Sequence, residues 1–266
     1  MSDLRYAFAD IVAAFGKLRL WAFFALKQLQ LQYRRNVLGM VWVVVSFGVP
    51  ALGIGWLLAE LQNIPLSQHV PHVVFGFVGW NFASSCITEG CYALTRNRGL
   101  ILQAPMERSV FALSLTLNKF ILMLFQLVAA MGIVAVFGWR PSMSLLFLPV
   151  AFAILFVTGF ASVLLFSLLA ARIRDIGELA ASLVRLLFFF TPIIWATGRR
   201  GLEGGVLELV ATLNPFTYFV DILRMPLVGT VPDALTLTVT LSLMALTLLM
   251  SVIALAKLGR TVTFFV

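Results

Sequence analysis

Residues 37–59 read VLGMVWVVVSFGVPALGIGWLLA, a stretch without one ionisable side chain. Coiled as a helix it is longer than the roughly 30 Å hydrocarbon core of a bilayer. In water its apolar sides would have nothing to cover them, so lipid is the solvent it calls for. Five further apolar segments follow, at 72–95, 109–137, 143–171, 179–197 and 234–256. Glu89, Lys119 and Arg185 are the only acidic or basic residues inside them. The sequence therefore predicts an all-α integral membrane protein with six transmembrane helices.

Composition agrees. Hydrophobic residues are 61% of the 266 and charged residues 11%, with a mean hydropathy of +1.03, far outside the balance of a water-soluble domain. Cys86 and Cys91 both lie within an apolar segment and read as buried thiols. His69 and His72 have no cysteine or carboxylate at ligand spacing, so no metal site is expected.

Two regions break the pattern. Residues 1–36 lack the apolar core of a signal peptide, yet Leu4, Phe8, Ile11, Val12, Phe15 and Leu18 recur at helical spacing. That predicts an amphipathic helix lying in the headgroup plane, on the cytoplasmic side. Residues 198–232 are too apolar for a solvated loop and too interrupted for a span. Their two short helical pieces, either side of Asn214 and Pro215, predict a re-entrant segment, which is tolerated only where protein or a water-filled cavity covers its backbone.

A net charge of +8 and a pI near 10.2 resemble a nucleic-acid signature until the cations are placed. With the amino end in the cytoplasm, 14 of the 19 Lys and Arg fall on that side and four, Arg140, Arg199, Arg200 and Arg224, on the other. The positive-inside rule then puts both termini in the cytoplasm and accounts for the basicity without nucleic acid.

Chemistry is sparse. The Gly16-Lys17 pair lacks the rest of a phosphate-binding loop, so ATP hydrolysis and catalysis are not expected of this chain. In the second span Asn81, Ser84, Thr88, Cys91 and Thr95 follow at alternating steps of three and four, one stripe down one helical face. Such a stripe suits a wall of a polar conduit, and equally suits close helix packing. Phe75, Phe77, Trp80 and Phe82 flank it, and aromatic faces pack well against the C–H faces of sugars. Glu89 and Lys119 are candidates to pair across neighbouring helices. A proton relay would want carboxylates repeated through the membrane, and Glu89 stands nearly alone.

Three motifs carry a family resemblance. Residues 33–42, YRRNVLGMVW, resemble the R-Y-R-x-S-x-L-G-x-x-W approach to the first span in permease subunits of type-2 ABC exporters for lipid-linked bacterial polysaccharides, the O-antigen, teichoic-acid and capsule group. Asn36 stands where that family has serine. Arg174-Asp175-Ile176-Gly177 with Phe189-Phe190-Thr191-Pro192-Ile193-Ile194-Trp195, and then Asn214-Pro215-Phe216 with Asp221 and Arg224, resemble its fifth-span and re-entrant motifs.

The resemblance implies a channel-forming homodimer joined to two separate ATPase subunits in the bacterial inner membrane, exporting lipid-linked polysaccharide, with O-antigen the first expectation. ATP and Mg would bind the partner, and this chain would carry no cofactor. Related permeases for drugs or small lipids share the architecture, while an ion-coupled carrier would not need ATP. Under this reading Phe75, Phe77, Trp80, Asn81, Phe82, Ser84 and Thr88 line the path. Arg34 and Arg35 meet headgroups or the substrate's pyrophosphate at the cytoplasmic mouth. Arg96, Arg98, Gly99, Pro105 and Glu107 contact the ATPase, and Asn214 and Pro215 shape the periplasmic exit.

Overall fold

The computed structural model describes residues 3–34, 39–103, 106–195 and 205–262. Arg35 and Pro105 lie outside them. The described elements are α1 (Asp3–Gly16), α2 (Leu18–Tyr33), α3 (Val41–Leu61), α4 (Leu66–Thr88), α5 (Arg98–Gln103), α6 (Arg108–Ala135), α7 (Leu148–Arg172), α8 (Asp175–Phe190), α9 (Val206–Leu213), α10 (Pro215–Val228) and α11 (Ala234–Leu258), with short 3₁₀ turns between some of them. No strand occurs among the described residues.

Five stretches are long and apolar enough to cross a bilayer: Val41–Leu61, Leu66–Tyr92, Arg108–Ala135, Met143–Arg172 and Ala234–Leu258. They fall on five of the six expected segments. The second begins at Leu66 rather than at the expected residue 72, so Pro71 lies within α4. The remaining expected span, 179–197, falls on the 16-residue α8. At 1.5 Å per residue α8 is about 24 Å long, short of a full crossing. It stops at Phe190 because Pro192 follows and disfavours helical backbone at Thr191, whose φ and ψ are extended.

α4 is the axis of the bundle. It packs against α3, α6, α7, α8 and α10, and Val70, Val73, Val74, Phe75 and Val78 are completely buried. It is the least apolar of the five spans, carrying the polar positions from Asn81 to Thr88, so it loses least by leaving lipid and takes the centre. α3 and α11 bury one side only and expose Val49, Trp56, Leu235 and Leu249 on the other, as helices bordering lipid do. Hydroxyls inside the spans bond carbonyls of their own helix: Thr116 donates to Ala112 O at 2.8 Å and Thr240 to Thr236 O at 2.6 Å. That removes their need for water.

α9 and α10 form a hairpin whose tip, Asn214-Pro215, reaches the level of Trp80 in the middle of α4: the Phe216 and Trp80 ring centroids are 5.3 Å apart. From there α10 runs back towards the loop that holds Trp139 and Ser144, whose side chains donate to Leu227 O at 2.6 Å and Pro226 O at 2.7 Å. Asn214 is the N-cap of α10, its Oδ1 accepting from Phe216 N at 3.0 Å with Pro215 at the first helical position. Its Nδ2 donates to Thr191 Oγ1 at 2.8 Å, which ties the tip to the end of α8.

A buried arginine secures the other end of this junction. Arg224 donates through Nη1 to Pro192 O at 2.6 Å and to His72 Nε2 at 2.9 Å, and its Nη2 pairs with Asp221. Gly76 and Gly79 let α4 approach this junction closely: a methyl at Gly79 would come within 3.3 Å of Val220 Cα, and one at Gly76 within 3.3 Å of Ile193 Cγ2.

On the side expected to be cytoplasmic, α1 buries Ala7, Asp10 and Ala14 against the bundle and exposes Leu4, Phe8, Val12 and Phe15, and Leu18 at the start of α2 is exposed as well. Glu107 precedes α6 without capping it through its side chain. Asp10, far away in sequence, does so instead: its two oxygens accept from Arg108 N and Ser109 N, each at 3.0 Å. Lys17 Nζ meets Glu107 Oε1 at 2.6 Å, Asn118 Nδ2 donates to Ala25 O at 3.2 Å, and Arg260 reaches Asp3 at 3.3 Å while its guanidinium lies over the Tyr6 ring. The amino-terminal helices are thus held by α6 and the end of α11.

Partial burial pushes the Glu107 carboxyl up, but its hydrogen bond from Lys17, its own backbone N–H and the nearby charges of Lys17 and Arg108 outweigh that and hold it below the usual value. A lowered carboxylate pKa means stabilisation that is complete above the ordinary glutamate range and lost as pH falls through the lowered value. Amide-exchange protection factors over residues 3–33, which are corrected for the intrinsic slowing of exchange in acid, should therefore fall as pH drops below that range, and Glu107→Gln should flatten the dependence. Asp10→Ala, which removes the long-range cap, is expected to cost about 1–2 kcal/mol, seen as a lower unfolding midpoint in detergent.

Candidate functional site

A groove of about 300 Å³ opens between α4, α6 and the end of α2. α4 contributes Asn81, Phe82, Ser84, Ser85, Thr88 and the adjoining Glu89, α6 contributes Lys119, Leu122, Met123 and Gln126, and α2 contributes Gln32 and Tyr33. The α4 residues share a face because steps of three and four return to the same side of a helix. Residues 119, 122, 123 and 126 do the same on α6.

Polar groups set the groove's character. Ser84, Ser85 and Thr88 donate to carbonyls of their own helix at 3.3, 3.0 and 2.9 Å, so their oxygens remain available as acceptors. The amides of Asn81, Gln32 and Gln126 add donors and acceptors. Burial and the nearby Glu89 carboxylate push the Tyr33 phenol above its usual pKa, so it stays protonated at neutral pH and able to donate. A wall of closely spaced neutral donors and acceptors between apolar helices suits a polyhydroxylated ligand better than a lone ion.

Lys119, almost fully buried, pairs with Glu89 at the groove's inner end, and Arg96 meets the other Glu89 oxygen at 3.5 Å. The pair allows a cation to sit in α6 without an uncompensated charge. A smaller polar cavity of about 160 Å³, lined by Gln28, Arg96, Asn97 and Asn118 among others, shares Glu89 with the groove and extends it towards the 3₁₀ turns.

Four of the residues expected along the path, Asn81, Phe82, Ser84 and Thr88, line this groove. The other three face inward: Phe75 packs edge-on to Trp139, Phe77 edge-on to Phe188, and Trp80 against Phe188 and Phe216. Trp80 thus meets the hairpin, while Phe77 meets α8 and Phe75 the loop after α6. The polar stripe also ends sooner than its spacing predicts. The helix tightens to 3₁₀ at Gly90–Tyr92, which shifts the register, and Cys91 turns away to pack on Ala170 and Ala180.

Arg34 is exposed at the end of α2. Arg96 lies over the Tyr92 ring as well as near Glu89. Arg98 and Gly99 begin the exposed helix α5, and Glu107 is engaged by Lys17. Asn214 and Pro215 form the hairpin tip, level with the middle of α4. Sequence reasoning missed Gln28, Gln32 and Tyr33 as wall residues, although Gln28 and Gln32 are one helical turn apart. It also missed Asn118 and Gln126, hidden singly within an otherwise apolar segment.

A family model described as ABC-2 type transporter matches residues 20–228. Two proteins of Klebsiella pneumoniae, each named O-antigen export system permease protein RfbA, are 23% and 22% identical to this chain over 172 residues, 64% of it and 66% of each relative. A Myxococcus xanthus protein of the same name is 21% identical over 193 residues, 71% of this chain and 72% of the relative. The alignments with the two Klebsiella proteins thus span just under two thirds of those relatives' length.

The ion pair makes a separable prediction. Lys119→Ala should destabilise the chain by about 1–3 kcal/mol, the usual cost of orphaning a charged hydrogen-bond partner. The double replacement Glu89→Gln with Lys119→Met should restore most of the loss in detergent unfolding, because an uncharged pair leaves no uncompensated charge.

Proposed function

The chain belongs to the ABC-2 type transporter family, and from that premise we infer that it is the membrane subunit of an ATP-driven exporter of lipid-linked polysaccharide, O-antigen being the substrate best supported. The observation that carries this reading is the polar groove of α2, α4 and α6, together with relatives named as O-antigen export permeases. A sugar chain needs many weak hydrogen bonds and no tight site, since each residue of the polymer must leave as easily as it enters. Hydroxyl and amide groups spaced along α4 and α6 meet that demand.

Two copies facing each other would enclose a conduit wider than either bundle holds alone, with the groove of each as half its wall. Asn81, Phe82, Ser84 and Thr88 meet the polymer, while Phe75, Phe77 and Trp80 pack behind them on the loop after α6, on α8 and on the hairpin. Residues 37–266 make the membrane domain and residues 1–36 its cytoplasmic interfacial segment. Both termini lie in the cytoplasm, as the distribution of Lys and Arg requires.

α8 and the α9–α10 hairpin together complete the sixth crossing and the re-entrant passage, with Asn214 and Pro215 shaping the way out. Arg34 and Arg35 meet anionic groups at the inner surface. Arg96, Arg98, Gly99, Pro105 and Glu107 lie where two nucleotide-binding subunits dock, and ATP with its Mg is bound there, on the partner. The Lys17–Glu107 and Asp10–α6 contacts would pass motion of that surface into α6 and so to the groove wall.

Reconstituted in vesicles with its partner ATPase, the chain is expected to move a lipid-linked glycan only when ATP is present and to move none without the partner. Uphill accumulation by the chain alone, or equal transport with and without ATP, would overturn the reading.

A further inference from the structure

α8 has three faces rather than two. Gly177, Ala180 and Val184 are buried against the bundle, and Leu179, Leu183, Leu186 and Phe190 form an exposed apolar strip. Beside that strip, also exposed, run Glu178, Ser182 and Arg185, at steps of four and three and therefore along one line of the helix. A helix bordering lipid alone would be apolar across its whole exposed arc. In α8 only part of that arc is.

Arg185 is also set deep. Before it along α8, Ala180 packs with Cys91, and after it Phe188 meets the rings of Phe77 and Trp80, so Arg185 stands level with the part of α4 that carries the groove. Its Nε donates to Ala181 O at 3.2 Å, one turn back towards the side expected to be cytoplasmic, and among the described residues no carboxylate pairs with the guanidinium. Even that turn leaves the charge about 9 Å above Asp175, at 1.5 Å per residue. An unpaired arginine at such a depth is heavily penalised against hydrocarbon and is accommodated against water. The strip also leads to the groove: Tyr92 donates to Glu178 Oε1 at 3.4 Å, the Arg96 guanidinium lies over the Tyr92 ring, and Arg96 meets Glu89 at the groove's inner end.

Resting on the export reading above, we propose that Arg185 is a charge-selecting residue of the conduit: it stands in the wall of the water-filled path beside the groove, and its guanidinium bars small cations from a passage wide enough for a polymer. Glu178 lies nearer the cytoplasmic end and is engaged by Tyr92, so Arg185 is the charge furthest into the membrane on this strip. Low-dielectric walls let one fixed charge act across an opening, and rings of arginine favour anions over cations. A two-fold pair of chains sets two such guanidiniums around one path, and their mutual repulsion keeps them apart in water. The hydroxyl and amide groups of the groove are neutral and do not repel cations, so that task falls to a residue outside it.

The full-length chain is reconstituted in phospholipid vesicles with its ATPase, and two readouts are taken. In a background carrying Cys86→Ala and Cys91→Ala, Arg185→Cys should react with a membrane-impermeant methanethiosulfonate roughly tenfold faster than Leu186→Cys on the apolar strip, because the reactive thiolate needs water. With both cysteines native, sodium uptake during ATP turnover, read by a trapped fluorescent indicator, should rise roughly tenfold in Arg185→Glu, as expected for a unit charge felt at about 10 Å in a partly hydrated path. Arg185→Lys, which keeps the charge, should hold uptake at the unaltered level. Equal thiol reactivity at 185 and 186 would show an arginine that snorkels along lipid and would overturn the proposal, as would sodium uptake unchanged in Arg185→Glu. Vesicles that export glycan with ATP yet give either of those results defeat the role of Arg185 alone, whereas absence of ATP-dependent export by the unaltered chain defeats the reading beneath it.

Discussion

Hydrocarbon offers no hydrogen bonds, so every polar group that enters it must bring its partner along. The order of this molecule follows from that constraint. Backbone groups are satisfied within helices, and most of the described Ser and Thr hydroxyls turn to carbonyls one turn back, with Ser109, Ser114 and Thr217 buried without such a bond. Where the helix breaks at Thr191-Pro192 and again at Asn214-Pro215, the freed groups are met by Arg224 and Asn214, which join α8, α10 and α4. The same rule lets Lys119 sit inside α6, because Glu89 stands beside it.

These partnerships also arrange the surfaces that matter for transport. The hairpin is held to α4 by Trp80 and the Arg224 cluster, which leaves another side of α4 free to carry its polar stripe. A helix whose neighbours are fixed on several sides can present chemistry on the remainder without collapsing onto it.

The amino-terminal helices connect this core to the surface where force would arrive. α1 caps α6 through Asp10, α2 meets α6 through Asn118, and Arg260 links the far end of the chain to Asp3. The exposed apolar residues of α1 lie opposite the buried Asp10, so one helix faces an apolar medium on one side and holds an ionic capping contact on the other.

Spacing along the chain was enough to determine that this is a helical membrane protein, because the length and apolarity of a span are local properties. The stripe Asn81-Ser84-Thr88 and the helix start at Asn214-Pro215 were legible for the same reason: both depend on helical period and capping. Tertiary structure alone decided the rest. Nothing local distinguishes Trp80, packed against Phe188 and Phe216, from Phe82 at the groove, since which face of α4 meets a neighbour is set by the helices that pack there. Nor does spacing place Asp10 on the N-terminus of α6, or Gln32 and Tyr33 beside Gln126, because those contacts join residues about a hundred positions apart and exist only once the bundle has closed.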